Sequence, residues 1–272
     1  MTSASDPRAL LRELEQRARK RFGQHFLARP SVCDVMVRAA GVVAGDRVVE
    51  IGPGLGVLTE PLLGAGAAVT AIEIDDDLAE RTARVYPEVR LVHADATGVD
   101  WASLCDGEGW KLVANLPYNV GTGLVLDLAR MAPRFRSLTV MLQAEVIERF
   151  CASPSTKAYG AITVQLALRG TIRPVIAVPP EAFVPPPKVR SAVVHIDLFE
   201  TPRTEGIDPA LVDRVVVGAF SQRRKTLRNS LGALLGKDAA EAALRAAGID
   251  PGKRAEVLGP ADFVAIARAV QG

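Results

Sequence analysis

The segment Glu50-Ile-Gly-Pro-Gly-Leu-Gly56 sets three glycines at alternate positions directly behind a strand-like run, Arg47 to Ile51. Glycine reaches left-handed backbone conformations without a Cβ penalty and lets the chain approach a ligand closely. A strand that ends in such a loop and enters a helix starts a strand-helix-strand unit. The downstream pattern repeats that unit: helix Val57 to Leu63, strand Ala67 to Ile72, helix Asp76 to Val85, strand Val89 to His93. Strands near Lys111 to Ala114 and Ser137 to Leu142 flank a helix near Gly123 to Met131. Strands separated by helices imply parallel pairing, hence an α/β, Rossmann-like sheet.

Two segments precede this pattern: an amphipathic helix over 8–21 and, after a turn-like stretch 22–27, a helix from Ser31 to Ala40. Beyond it, β-branched enrichment predicts strands at Ala161 to Ala167 and Ser191 to Leu198. The proline-rich stretch 178–187 between them can be neither helix nor central strand. From Thr201 the composition shifts to Ala- and Leu-rich helical patterns broken by glycines, which predicts a sheet domain over 1–203 and a small all-helical domain over 204–272.

The chain has 272 residues and a formal net charge of +2, enough for one sizeable domain and a small second one. No apolar run approaches the roughly 20 residues that span a bilayer, and the polar amino terminus lacks a signal-peptide core. Cys33, Cys105 and Cys151 stand apart, without zinc spacing. A cytoplasmic protein without metal is expected, binding no membrane. The charges are clustered, however: Arg17, Arg19, Lys20 and Arg21 near the start, and Arg223, Arg224, Lys225 and Arg228 near the end. Such runs are usually solvated faces. The second recurs at near-helical spacing and would grip phosphates without reading bases.

A dinucleotide fingerprint needs its third glycine one place later, where this chain has Val57. That departure disfavours NAD and favours a ligand with no pyrophosphate to wrap, such as S-adenosylmethionine. Glu73 closes the second strand about twenty residues beyond the loop, where a carboxylate accepts ribose hydroxyls. Asp95 follows the third strand, placed for an adenine amino group, although an acid there is more often a helix cap. Acids at successive strand ends line the edge where open α/β sheets bind ligands.

Asn115-Leu-Pro-Tyr118 follows the fourth strand. The exocyclic nitrogen of adenine is a poor nucleophile, because its lone pair is delocalised into the ring. The Asn115 amide oxygen and the Leu116 carbonyl can accept both amino hydrogens and leave the lone pair aimed at an electrophilic carbon. Pro117 fixes the backbone, and Tyr118 offers a ring for an extruded base. The plainer reading is an Asn-x-Pro turn with a core tyrosine. Small residues beside the tetrad, Gly121 and Gly123, are expected to leave volume for a first methyl during a second transfer.

The motifs Phe22-Gly-Gln-His-Phe-Leu27, Glu50 to Gly56, Glu73-Ile-Asp75, Asn115 to Tyr118, Phe183-Val-Pro-Pro-Pro-Lys-Val-Arg-Ser191 and Phe220-Ser-Gln-Arg-Arg-Lys-Thr-Leu-Arg-Asn229 stand in this order. In this the chain resembles the bacterial small-subunit ribosomal RNA adenine dimethyltransferases. The resemblance implies a class I S-adenosylmethionine-dependent methyltransferase domain with a helical carboxy-terminal domain. It also implies dimethylation of two adjacent adenosines in a hairpin loop near the 3′ end of 16S rRNA, within the immature small ribosomal subunit, by a monomer. It places Gln24, His25 and Leu27 beside the donor and Gly52 at its methionine end, with Gly54 and Gly56 in the same loop. Glu73 and Ile74 then meet the ribose, Asp95 and Ala96 the adenine. Asn115 faces donor and target, and Phe183 stacks opposite Tyr118. His25 replaces the family's usual Asn, and Gly121 its usual Ser or Thr. The alternatives are a 23S rRNA adenine methyltransferase of the erythromycin-resistance type, and an RNA-binding assembly factor that works by occupancy.

Overall fold

Short aliphatic and β-branched runs form the centre of a seven-stranded sheet in the computed structural model, which describes residues 25–271. The expected helix over 8–21, its basic residues and Gln24 lie outside the described residues. Strands β1 to β9 cover Phe26–Leu27, Arg47–Ile51, Ala68–Glu73, Arg90–His93, Trp110–Asn115, Phe135–Gln143, Gly170–Val178, Phe183–Val184 and Ser191–Leu198. Helices α1 to α5 cover Pro30–Ala39, Thr59–Gly64, Asp76–Val85, Trp101–Leu104 and Gly121–Ala129; α6 to α11 cover Ala144–Phe150, Ala161–Ala167, Pro209–Phe220, Leu227–Leu235, Lys237–Ala246 and Pro260–Gln271.

The sheet order is β4-β3-β2-β5-β6-β9-β7. Strands β4 through β6 pair in parallel, whereas β9 runs antiparallel to β6, so the sheet is mixed. A parallel neighbour needs a long crossover, usually a helix; β9 instead follows the proline-rich stretch, and an antiparallel neighbour needs no such crossover. Central strands are covered on both faces: Val48, Val49, Leu112, Val113 and Ala114 are all fully buried. Burying each of the valines and the leucine contributes roughly 1.5–3 kcal/mol. A buried ion pair interrupts this core. Lys111 on β5 donates to Asp46 Oδ2 and to the Gly41 carbonyl, both at 2.6 Å. Burial would raise the Asp46 carboxyl, but the hydrogen bond and charge of Lys111 outweigh it and hold it below its ordinary value.

The chain divides into two compact units. The first holds the described residues up to Ile147 together with Arg173–Leu198; the second holds Glu148–Ile172 and the residues from Phe199 onward. Residues 148–172 thus group with the carboxy-terminal helices, which a division at 203 and 204 does not anticipate. The second unit has its own core, in which Tyr159, Val164, Val216, Leu231 and Phe263 are buried. The Tyr159 hydroxyl donates to the Leu258 carbonyl at 2.7 Å, and Arg169 pairs with Asp213 at 2.8 Å.

Three expectations change here. Residues 161–167 are helix α7, not a strand. Thr163, Val164, Gln165 and Leu166 are all buried, and burial around the helix removes the one-sided apolar stripe that would reveal it. Strand β7 was not expected. It lies at the sheet edge, the place in a sheet where a proline such as Pro174 is tolerated. The basic run Arg223, Arg224 and Lys225 is a turn between α8 and α9, not a helical face, and only Arg228 is helical.

Candidate functional site

A cleft of about 410 Å3 opens at the carboxyl ends of β2 to β5, lined from the first unit alone. Each strand brings one group to it because each ends at the same edge of the sheet. From β2 come Glu50 and the glycine loop. Gly52 and Gly54 have φ of 68° and 57°, conformations that L side chains rarely adopt. A Cβ on Gly52 would meet open space, and one on Gly54 would touch the Phe26 ring at 3.5 Å. Gly56 does not line the cleft: a Cβ there would lie 2.3 Å from the Tyr86 ring. Its glycine is required by packing, which corrects its expected place against a ligand.

Glu73, at the end of β3, is 5% exposed. Its Oε1 accepts from Ile74 N and Asp75 N, each at 3.0 Å, and its Oε2 from Gly54 N at 3.3 Å. One carboxylate therefore holds the β3 turn and the glycine loop together. Burial raises its titration, and the backbone bonds oppose that rise. Ile74 is 62% exposed at the rim. Next along the sheet, Asp95 is exposed, and its Oδ1 caps the following turn by accepting from Thr97 N and Thr97 Oγ1, both at 2.8 Å. These bonds hold its carboxyl below the ordinary value. Asp95 is thus a turn cap that also lines the cleft, beside the buried Ala96.

Asn115 ends β5, half-buried on the cleft wall, and its amide makes no hydrogen bond among the described residues. Leu116 N donates to the Met141 carbonyl at 3.1 Å, which fixes the tetrad to β6. The Tyr118 hydroxyl and Ser191 Oγ lie 2.7 Å apart, tying the ring to the first residue of β9. Gly121 and Gly123 lie outside the cleft lining. A Cβ on Gly121 would meet Leu142 at 2.3 Å, and Gly123 faces outward, so neither supplies the volume expected of it.

The opposite wall comes from a pairing too short to read in sequence. Phe26 pairs with Val184 and Leu27 with Phe183 in a two-residue ribbon, extended by Ala28 N to the Ala182 carbonyl at 2.8 Å. His25 Nδ1 lies 2.7 Å from the Pro185 carbonyl, so that nitrogen is the protonated one. His25, Leu27 and Phe183 all line the cleft. Phe183 is only 2% exposed and belongs to the apolar core with Leu27, Val178 and Val193.

Sequence reasoning assigned no role to Glu50, Thr59 or Ser191. Glu50 is 1% exposed and accepts from Thr59 Oγ1 at 2.7 Å. The signal for it was an acid inside the apolar strand Val48-Val49-Glu50-Ile51.

The residues present fit S-adenosylmethionine. The cleft has a glycine cradle and two buried carboxyls, and no cation pairs with either carboxyl among the described residues. A ligand of net positive charge satisfies that floor. No group of three or more His, Cys, Asp or Glu that could hold a metal ion occurs among the described residues.

The four basic residues lie in the second unit. Arg223 Nη2 donates to the Lys157 carbonyl at 2.6 Å, and Arg228 Nε pairs with Glu241 at 2.6 Å. All four are exposed.

Comparison with known proteins adds the following. The family profile described as "Ribosomal RNA adenine dimethylase" matches residues 15–271. The "Ribosomal RNA small subunit methyltransferase A" of Thiobacillus denitrificans is 48% identical over 250 residues, 91% of this chain and 96% of that protein. The protein of the same name from Syntrophotalea carbinolica is 46% identical over 260 residues, 95% and 98% of the two chains. Among solved structures, a dimethyladenosine transferase from Plasmodium falciparum aligns with a TM-score of 0.75 at 25% identity, over 89% of this chain and 96% of that one. The 23S rRNA methyltransferase ErmE aligns with a TM-score of 0.67 at 25% identity, over 91% and 100%.

Proposed function

Because the chain belongs to the ribosomal RNA adenine dimethylase family, we propose that its target is a pair of adjacent adenosines in a hairpin loop near the 3′ end of 16S rRNA. Membership makes it an enzyme, an S-adenosylmethionine-dependent rRNA adenine dimethyltransferase of α/β class I fold. The finer reading is that it acts as a cytoplasmic monomer on the immature small subunit, late in assembly. Identity above 45% to small-subunit methyltransferases over nine-tenths of the chain supports this over the 23S alternative, whose support is the fold likeness to ErmE.

The observation that carries the chemistry is the unbonded Asn115 amide on the cleft wall, two residues before Pro117 and three before the Tyr118 ring. Bound S-adenosylmethionine supplies an electrophilic methyl group. Asn115 Oδ1 and the Leu116 carbonyl hold the amino hydrogens, so that the nitrogen lone pair points along the transfer line. Tyr118, held by Ser191, presents a ring face to the base, and stacking there contributes about 1–3 kcal/mol. Phe183, mostly covered by the core, is the proposed stacking partner opposite Tyr118. Glu73 takes the ribose hydroxyls, with Ile74 at the rim; Asp95 and Ala96 take the donor's adenine; His25 and Leu27 wall the donor, with Gly52 and Gly54 beneath it. Pro117 fixes the backbone of the tetrad, and Gln24, read beside the donor, lies outside the described residues.

The deciding experiment supplies labelled S-adenosylmethionine with immature small subunits, mature small subunits or protein-free 23S rRNA, and maps the modified adenosines. Dimethyladenosine confined to two neighbouring positions of 16S rRNA is expected, and label in 23S rRNA would overturn the reading. Glu73→Ala is expected to raise the donor's Kd roughly tenfold to a hundredfold, since buried hydroxyls lose their acceptor; unchanged affinity by calorimetry would contradict that assignment.

For the RNA contact, the pair Arg224 and Lys225 is the proposed core of the phosphate grip, because Arg223 already donates to the Lys157 carbonyl and Arg228 already pairs with Glu241. Replacing both with Ala is expected to weaken binding to small subunits and to reduce the salt slope by roughly 1–2. Donor affinity should hold. Equal binding across a salt series would make them a solvated face.

A further inference from the structure

Glu50 and Glu73 sit at the ends of neighbouring parallel strands and line one cleft, buried to 1% and 5% exposure. Glu73 is surrounded by three backbone N–H donors, whereas Glu50 has the Thr59 hydroxyl. The titratable groups that act on Glu50 are Glu73 on β3, Cys33 on α1 and Tyr86 beyond α3, each neutral or negative; the buried cation nearby, Arg81 of α3, donates to the Leu55 carbonyl at 2.9 Å and acts on Tyr86. On the other flank, β5 presents Leu112, Val113 and Ala114, and its Lys111 is committed to Asp46. A carboxylate this deep, with one hydrogen bond and a second acid beside it, is not stable ionised. It stays neutral until a cation enters the cleft.

We propose that Glu50 is the charge-matching residue of the donor cleft: donor binding releases a proton from its carboxyl, and the ionised Glu50 then favours the cationic donor over its uncharged thioether product. The proposal rests on the reading that S-adenosylmethionine occupies this cleft. During transfer the carbon–sulfur bond breaks with its electron pair left on sulfur, a nitrogen–carbon bond forms, and an amino proton leaves to solvent. The cleft thereby loses the sulfonium charge that compensated Glu50. Ionised Glu50 is then unmatched again and recovers a proton, so the retained product is the weaker ligand. Burial above all, then the neighbouring Glu73, raise the empty-cleft carboxyl to about 8, which sets the pH range over which the linkage is visible.

The test measures binding directly. Affinity and heat for S-adenosylmethionine and for S-adenosylhomocysteine are recorded by calorimetry between about pH 6 and about pH 9, in buffers of low and high ionisation heat. For wild type, the donor is expected to release up to about one proton below pH 8, falling to none above pH 9, with affinity rising up to roughly tenfold per pH unit. The product releases less, so the donor-to-product affinity ratio widens with pH. Glu50→Gln keeps the Thr59 contact and the volume but cannot ionise. Subtracting its proton count removes the contribution of the ligands' own titrating groups. The variant is expected to lose the linkage and to show a flat, smaller ratio. Thr59→Val, which strips the one hydrogen bond to the carboxylate, should move the window to higher pH. Equal proton counts in wild type and Glu50→Gln, or a ratio that stays wide in the variant, would overturn the proposal while leaving donor binding intact. Absence of any donor binding by wild type would instead overturn the functional reading on which it stands.

Discussion

Asn115→Ala is expected to lower methyl transfer at saturating donor roughly a hundredfold to a thousandfold, the cost of removing one preorganised hydrogen-bonding group from a reacting centre. The amide ends β5, whose neighbours β2 and β6 are buried on both sides, so the side chain is carried by one of the most rigid parts of the sheet. It makes no hydrogen bond among the described residues, so Ala leaves no orphaned partner in the protein and the fold should be unaffected. Donor affinity should weaken by no more than about tenfold. Single-turnover transfer, donor calorimetry and thermal melts separate the three quantities. Turnover within a few-fold of wild type would remove Asn115 from the chemistry.

Gly56→Ala is expected to damage the fold instead. The backbone there has φ of 85°, and the added Cβ would lie 2.3 Å from Cε2 and 2.4 Å from the hydroxyl of Tyr86. The left-handed conformation costs about 1–2 kcal/mol and overpacking about 1–3 kcal/mol more. Tyr86 is 6% exposed and packs in the core of the first unit, so its ring cannot swing aside without opening a void. Denaturant unfolding measures the loss. In the double variant with Tyr86→Ala the overlap vanishes and the backbone cost remains, so the two substitutions should be strongly non-additive. Additive losses would show that the two residues do not press on each other.

The contrast between these two positions shows what the sequence made legible. Strands β2 to β5, helix α3 with its bounds at Asp76 and Val85, and the acids at successive strand ends were readable because local pattern and tertiary role agree there. Glycine spacing marked the loop but not the use of each glycine. Gly52 faces the cleft and Gly56 faces Tyr86, a distinction set by a residue thirty positions away. Helix α7 was hidden by burial on every side, and β7 by its proline. The β1–β8 ribbon has two residue pairs, too few for any period. The basic run has helical spacing in sequence, yet Arg223 is spent on the Lys157 carbonyl within a turn.

That ribbon ties the glycine loop to the wall that carries Phe183. Phe26 lies against Gly54 of the glycine loop, and Phe183, its diagonal neighbour across the ribbon, lines the same cleft as Tyr118. A ligand that shifts or stiffens this ribbon from the glycine-loop side changes the wall that a second ligand in the cleft meets, and thermodynamic reciprocity then requires the second to act back on the first by the same factor. Two ligands in one cleft thus feel each other through four paired residues as well as through their direct contact.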